Sequence, residues 1–94
     1  MPAYWIVRVN VIDGDKLAAY APLAAEAVAA HGGHYLARGG EAVSVEGAHY
    51  ARNVIVQWPD YQTATKAYQS EEYQRALAAL DGGADRLFVI TEGL

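Results

Sequence analysis

The sequence contains no cysteine, so it can form no disulfide, no thiol nucleophile and no thiolate metal site. Basic residues are also scarce. Seven lysines and arginines stand against eleven acidic residues, and the formal net charge of -4 has the wrong sign for a nucleic-acid partner. No apolar run approaches the roughly 20 residues that cross a bilayer, so we expect no membrane partner. The chain begins in a strand pattern without a basic leader, from which we expect a cytoplasmic location.

The remaining composition is that of a small globular protein. Hydrophobic residues make up 53% of the 94 positions, which predicts a single domain over residues 1–94. A chain of this length buries only about two-thirds of the surface that it exposes when unfolded. A large apolar face on such a domain therefore needs a partner to cover it.

Alternating apolar residues and turn signals predict four strands and three helices. The strands are expected at 4–11, 34–38, 52–58 and 86–92. The first helix begins after Asp13 or Asp15 and ends near Gly32, and Pro22 predicts a kink or a new first turn near Ala21. A second helix at 61–69 is capped by Asp60, and Ser70 can cap a third that ends at Gly82. Residues 41–50 are read as a loop or an added hairpin.

This β-α-β-β-α-β order predicts an α+β, ferredoxin-like fold, in which helices cover one face of a four-stranded antiparallel sheet. The predicted strands nevertheless carry apolar residues on both of their faces. A second copy of the chain is the simplest cover for the face without helices, so we expect a homodimer with two facing sheets.

Several short segments in order along the chain carry a family resemblance. They are Tyr4-Trp5-Ile6, Tyr20, Leu36-Ala37-Arg38-Gly39-Gly40, Glu46-Gly47, Arg52-Asn53-Val54, Tyr68 with Ser70, Glu72-Tyr73-Gln74 and Glu92-Gly93. With them the chain resembles the uncharacterised domain-of-unknown-function family numbered 1330. The resemblance implies a member of the dimeric α+β barrel superfamily. Other members of that superfamily include cofactor-free monooxygenases, lactone isomerases and haem-handling enzymes. The resemblance therefore also implies a site in a cleft between sheet and helices.

Arg38 is the first candidate for a ligand contact. A guanidinium at a strand end can hold a carboxylate through two parallel hydrogen bonds. The alternative is a salt bridge from Arg38 to Glu41 or Glu46.

Arg8 and Asn53 are further ligand-binding candidates, since they share one sheet face with apolar neighbours, as in a small-molecule pocket. Hydrogen bonding across a dimer interface explains these two residues equally well.

Tyrosines and histidines complete the set of candidates. Tyr20 and Tyr68 can line a cleft as hydroxyl donors, whereas Tyr73 is read as a core residue. His34 is a weak candidate for a catalytic base, because its unperturbed pKa lies near neutrality. The three histidines show no ligand spacing, so neither a metal nor a cofactor is expected.

These residues favour binding of a small anionic or aromatic metabolite near Arg38, Tyr20 and the polar sheet face. A cofactor-independent oxygenase or isomerase, with His34 or a tyrosine moving a proton, is the enzymatic alternative. A non-catalytic structural or interaction protein is the third possibility, and it predicts a closed, dry interior in which each of these side chains is already paired. The sequence leaves open whether any reaction follows binding.

Overall fold

One antiparallel sheet and three helices account for the regular structure of the chain. The computed structural model describes all residues, Met1–Leu94. The elements are β1 Ala3–Val11, α1 Gly14–Ala30, β2 His34–Arg38, β3 Arg52–Trp58, α2 Tyr61–Gln69, α3 Glu71–Leu80 and β4 Ala84–Glu92. The strands lie in the order β2-β3-β1-β4, with each neighbouring pair antiparallel. This arrangement confirms the predicted ferredoxin-like fold. None of its helices has the length and apolar character of a membrane span.

Strand alternation divides the sheet into two unlike faces. Trp5, Val7 and Val9 of β1 point toward the helices and are at most 5% exposed. The other side, called the open face below, has no helix packed on it. It carries apolar side chains that remain accessible to water in the single chain: Ile6 is 37% exposed, and Leu87 and Val89 are each 52% exposed. The sequence expectation of apolar residues on both faces therefore holds.

Trp5 lies at the centre of an aromatic core between sheet and helices. Its ring centroid is 4.7 Å from that of Trp58, 4.9 Å from that of Tyr73 and 5.2 Å from that of Phe88. The indole Nε1 donates a 2.9 Å hydrogen bond to the carbonyl oxygen of Ala64 in α2. Buried aromatic residues with a satisfied polar atom contribute strongly to stability, so this residue joins the central strand to both C-terminal helices.

Local signals in the sequence account for the helix ends. Asp13 caps α1 by accepting hydrogen bonds from two backbone amides of the first turn. Ser70 lies between α2 and α3. Its hydroxyl donates to the Ala67 carbonyl at 2.7 Å and accepts from the Tyr73 amide at 3.2 Å, so it ends one helix and begins the next. Helix α1 continues through Pro22 as one helix, so the new first turn that the sequence allowed is not observed.

The segment between β2 and β3 is a loop that is tied to the open face. Residues 41–50 contain no strand, so of the two possibilities left by the sequence the loop is observed. Arg8 donates to the Ser44 hydroxyl at 3.0 Å. Asn10 donates to the His49 carbonyl at 2.7 Å and accepts from the Ala51 amide at 3.0 Å. Polar groups of β1 therefore hold this loop in place.

Gly33 supports a specific stability prediction, because a Cβ at this position would lie 2.8 Å from both Trp58 Cη2 and Val28 Cγ1. Gly33→Ala is expected to lower the free energy of unfolding by about 1–3 kcal/mol through overpacking. Gly40→Ala is the matched control, since its Cβ meets nothing within 4 Å. Urea unfolding of the two variants measures the difference, and equal midpoints would show that the packing at Gly33 is not tight.

Candidate functional site

A narrow cleft opens between α1 and the helix-facing side of the sheet. The empty space in and around it amounts to ≈ 570 Å³, open solvent included, and 16 residues line it. Valines of β1 and β3 form much of its floor, and Leu17, Ala21 and Ala24 of α1 cover it. Apart from Trp5, whose indole N–H is bonded to Ala64, six lining residues carry polar groups: Tyr20, Tyr35, Tyr73, Arg38, Arg52 and Arg86. An apolar cleft with a few polar groups is the usual form of a small-molecule site.

Sheet register brings two of the arginines to the same level of the cleft. Val9 of β1 pairs with Arg52 of β3 on one side and with Arg86 of β4 on the other. Adjacent strands are about 4.8 Å apart, so the Cα atoms of these arginines are separated by about 10 Å. Since both side chains point toward the helices, they flank the floor at Val9.

Arg38 reaches the same cleft because β2 is irregular. The register of β2 against β3 shifts between Tyr35 and Ala37, which leaves Leu36 as an extra residue. Strict alternation would place Tyr35 and Arg38 on opposite faces, whereas the bulge brings both to the helix side. The guanidinium carbon of Arg38 lies 4.3 Å from the Tyr35 ring centroid. Burial raises the pKa of Tyr35 more than the charge of Arg38 lowers it, so the phenol stays protonated.

Arg86 is held by two tyrosine hydroxyls. Its Nη1 lies 3.1 Å from the Tyr20 hydroxyl and 3.4 Å from that of Tyr73, and the two hydroxyls are 2.6 Å apart. Tyr73 is fully buried, and burial raises its pKa far above the usual value, so it keeps its proton. The distance allows either hydroxyl to donate, but leaving the buried Tyr73 proton without an acceptor is the costlier arrangement, and the Tyr20 oxygen is the acceptor that it contacts. Tyr73 therefore donates to Tyr20.

The hydrogen bonds that the Tyr20 oxygen accepts determine what its own hydroxyl proton can do. A phenol oxygen accepts two hydrogen bonds, and here it receives one from Tyr73 and one from Arg86. Its own O–H has no partner in the protein and can only donate. Because Tyr20 lines the cleft, this proton is available to an acceptor atom of a bound molecule.

The electrostatics of the cleft are opposite to those of the whole chain. Its three arginines are the only charged lining residues, although the net charge of the chain is -4. The two salt bridges of the structure lie elsewhere, joining Lys16 to Asp81 and His31 to Glu72. Arg38 forms no salt bridge to Glu41 or Glu46, the alternative raised by the sequence. Arginines without carboxylate partners in a partly buried cleft favour a bound anion.

The other sequence candidates lie outside this cleft. Arg8 and Asn53 are on the open face, where the Arg8 Nε donates to the Asn53 Oδ1 at 3.0 Å. They are thus separated by the sheet from Tyr20 and Arg38, with which the sequence grouped them. Tyr68 belongs to the aromatic core, with its ring centroid 5.1 Å from that of Phe88.

His34 lies in a different place again. It pairs with Gln57 and lines a shallow depression near Met1 and Pro59, with no part in the cleft. No group of three or more histidine and acidic side chains able to hold a metal ion is present. The polar groups available for chemistry in the cleft are therefore phenols and guanidiniums.

Arg52, Arg86 and Tyr35 were not selected from the sequence. A signal for Arg86 existed, because it alternates with Phe88 and Ile90 and so belongs to the buried face of β4. Arg52 alternates in the same way with Val54 and Val56. An arginine at a core-facing strand position indicates a buried or ligand-facing charge, which makes it a stronger candidate than one on a polar face.

The sequence matches a family model described as a domain of unknown function, DUF1330, over residues 2–94. The chain belongs to the DUF1330 family. This confirms the resemblance inferred from the short motifs. No curated protein matches the sequence significantly.

Solved structures with the fold of this DUF1330 protein include three informative ones. A protein of unknown function from Rhodopseudomonas palustris superposes with a TM-score of 0.79 at 16% identity, covering 99% of this chain and 82% of the other. A dimeric ferredoxin-like protein of unknown function from Thermobifida fusca gives 0.67 at 14% identity, with 99% and 92% covered. SnoaB, a cofactor-independent oxygenase from Streptomyces nogalater, gives 0.58 at 10% identity, with 99% and 93% covered. At these identities the similarity establishes the fold alone.

The buried phenol of Tyr73 generates a prediction about alkaline pH. An unfolded tyrosine ionises near pH 10, but burial raises the pKa of Tyr73 in the folded state. The stabilisation from keeping Tyr73 protonated is therefore complete below pH 10 and is lost as the pH rises further. By pH 11 the loss of unfolding free energy amounts to about 1.4 kcal/mol. Between pH 9 and 11, Tyr73→Phe should lose about that much less unfolding free energy than the wild type.

Urea unfolding at both pH values provides the measurement. Tyr61→Phe, which removes the hydroxyl of an exposed tyrosine in α2, is the control. If Tyr73→Phe lost as much stability as the wild type over this range, the Tyr73 hydroxyl would not be held neutral by burial.

Proposed function

We propose that this DUF1330 protein binds a small organic anion with an apolar or aromatic body in the cleft between α1 and the sheet. The observation that carries the proposal is the set of three arginines lining an otherwise apolar cleft without any carboxylate. A guanidinium binds a carboxylate through charge-assisted hydrogen bonds, and valine and aromatic side chains suit an apolar body.

The lack of protein partners for two of the three arginines argues against a purely structural role for the cleft. That alternative predicts that each candidate side chain named from the sequence, Arg38 among them, is already paired within the protein. Arg86 is paired with two hydroxyls, but the guanidiniums of Arg38 and Arg52 form no hydrogen bond or salt bridge. Arg38 is exposed and Arg52 is half-buried, so both guanidiniums are free to contact a bound anion.

Pairing of two chains through their open faces is the second part of the proposal. The open face carries Ile6, Leu87 and Val89, all substantially exposed in the single chain. The Arg8–Asn53 pair lies among these apolar side chains, as polar groups do at dimer interfaces. The protein from Thermobifida fusca, which is described as dimeric and ferredoxin-like, supports dimer formation here by analogy of fold. In such a dimer the anion cleft stays accessible, because it lies on the helix side.

Turnover of the bound anion is a second candidate function, favoured by the arrangement around Tyr20. Hydrogen bonds from Arg86 and Tyr73 to its oxygen stabilise the charge that forms when Tyr20 gives up its proton. The similarity in fold to a cofactor-independent oxygenase supports this candidate by analogy. With His34 outside the cleft, Tyr20 is the residue that moves the proton in this scheme.

Binding of benzoate tests the anion site. Arg86→Gln should weaken benzoate binding about 10-fold to 100-fold, since a hydrogen bond to a charged group contributes about 1.5–3 kcal/mol. Arg75→Gln removes the same charge from the exposed side of α3 and should leave the affinity unchanged. Isothermal titration at fixed ionic strength gives both values, and circular dichroism verifies that each variant is folded.

The neutral analogue benzyl alcohol separates charge recognition from apolar binding. We expect it to bind much more weakly than benzoate to the wild-type protein. If benzyl alcohol bound as tightly as benzoate, or if Arg75→Gln weakened benzoate as much as Arg86→Gln, the assignment of an anion site to this cleft would be wrong.

Assembly is tested by sedimentation equilibrium. The wild-type protein should have twice the mass of the chain at micromolar concentration. Val89→Lys places a charge on the open face and should give a monomer, because an unpaired charge in an apolar interface is costly. Leu94→Lys changes an exposed apolar residue at the C-terminus and should remain dimeric. A wild-type monomer, or a Val89→Lys dimer of unchanged affinity, would contradict the proposed interface.

A further inference from the structure

The hydrogen-bond donors of the cleft form two groups on opposite sides of Val9. The first, called the β4 pole, consists of Arg86 and Tyr20. The second, called the β2–β3 pole, consists of Arg38, Arg52 and Tyr35. Val9 pairs with Arg52 on one side and with Arg86 on the other, so the poles lie on different strands across an apolar floor.

Each pole offers donors to a ligand. At the β4 pole the Tyr20 oxygen is saturated as an acceptor, which leaves its O–H and the free N–H groups of Arg86. At the β2–β3 pole neither guanidinium has a hydrogen-bond partner, and Arg38 is stacked on the Tyr35 ring. Burial raises the pKa of Tyr35, which keeps its phenol in the neutral donor form. A single carboxylate at one pole leaves the charge of the other uncompensated.

The separation of the poles limits the length of a ligand that reaches both. The Cα atoms of Arg52 and Arg86 are about 10 Å apart, and both side chains extend toward the same cleft. A molecule that reaches both poles within this narrow cleft therefore carries an acidic group at each end of a slender apolar spacer. The spacer then lies on Val7 and Val9, beneath the apolar side chain of Leu17 in α1.

We propose that the cleft is a site for a short dicarboxylate, with one carboxylate held by Arg86 and Tyr20 and the other by Arg38 and Arg52. This inference rests on the proposed anion-binding function and names its ligand class. It assigns a binding role to Arg52, which was not among the candidates selected from the sequence. A Cβ at Gly39 would clash with the Arg52 guanidinium, so the glycine leaves room for Arg52 in its observed position.

Matched pairs of acids test the inference on the wild-type protein. Succinate, glutarate and adipate are titrated against butyrate, valerate and hexanoate, which have the same numbers of carbon atoms, by calorimetry at constant ionic strength. We expect at least one dicarboxylate to bind 10-fold or more tightly than its matched monocarboxylate. Equal or tighter monocarboxylate binding at every length overturns the two-pole site but leaves the anion cleft standing. If no acid binds, benzoate included, the anion cleft fails and the two-pole site fails with it.

Variants at the β2–β3 pole provide the second test. Arg52→Gln should reduce the preference for the best dicarboxylate over its monocarboxylate to about threefold or less, because only one strongly held acidic group remains. Gly39→Ala should lower the same preference without removing any charge, since it displaces Arg52.

Gly47→Ala is the matched control for Gly39→Ala. Both glycines have positive φ, 71° and 84°, so both substitutions strain the backbone, but a Cβ at Gly47 meets nothing within 4 Å. Gly47→Ala should therefore retain the wild-type preference. An undiminished preference in both Arg52→Gln and Gly39→Ala would overturn the assignment of the second carboxylate to this pole.

Discussion

The burial of Trp5 at the centre of the sheet is the contact on which the rest of the molecule depends. Its ring packs on Trp58 and Phe88 of the neighbouring strands, and its indole nitrogen is bonded to the Ala64 carbonyl of α2. Loss of a buried aromatic side chain of this size costs about 3–5 kcal/mol, a large part of the stability of a small domain. The same ring packs on Tyr73, so the core and the cleft share a wall.

Tyr73 connects this core to the chemistry of the cleft. The Ser70 cap fixes the start of α3 and so places Tyr73 against Trp5. Its buried hydroxyl donates to Tyr20, which turns the Tyr20 proton toward the cleft and helps to hold Arg86. A chain of packed and hydrogen-bonded groups therefore runs from the centre of the sheet to the proposed binding site, and this rigid support is what pre-organised recognition requires.

Much of the fold was predictable because its signals are local. Asp60 directly after Pro59, and Ser70 before two glutamates, indicate helix starts from adjacent residues alone. Strand alternation likewise predicted an apolar sheet face without helices. These features depend on backbone capping and on a period of two residues, both of which are visible in the order of the amino acids.

The site was only partly predictable because it depends on pairing between distant segments. Arg52 and Arg86 are 34 positions apart in the numbering, and only the strand order β2-β3-β1-β4 brings them to either side of Val9. The bulge at Leu36, which turns Arg38 to the side of Tyr35, has no clear sequence signal. Arg38 and Tyr20 were selected for their chemistry and line the cleft, whereas Arg8 and Asn53 share a different face.

The most direct test of anion recognition in the cleft is the NMR spectrum of the ¹⁵N-labelled protein during titration with benzoate, with the arginine Nε–Hε signals recorded alongside the backbone amides. The account predicts saturable shifts that are largest for the Nε–Hε signal of Arg86 and the amides near Tyr20, with little change at Arg8 and Asn53 on the open face. Shifts concentrated on the open face, or no saturable shift at Arg86, would contradict it.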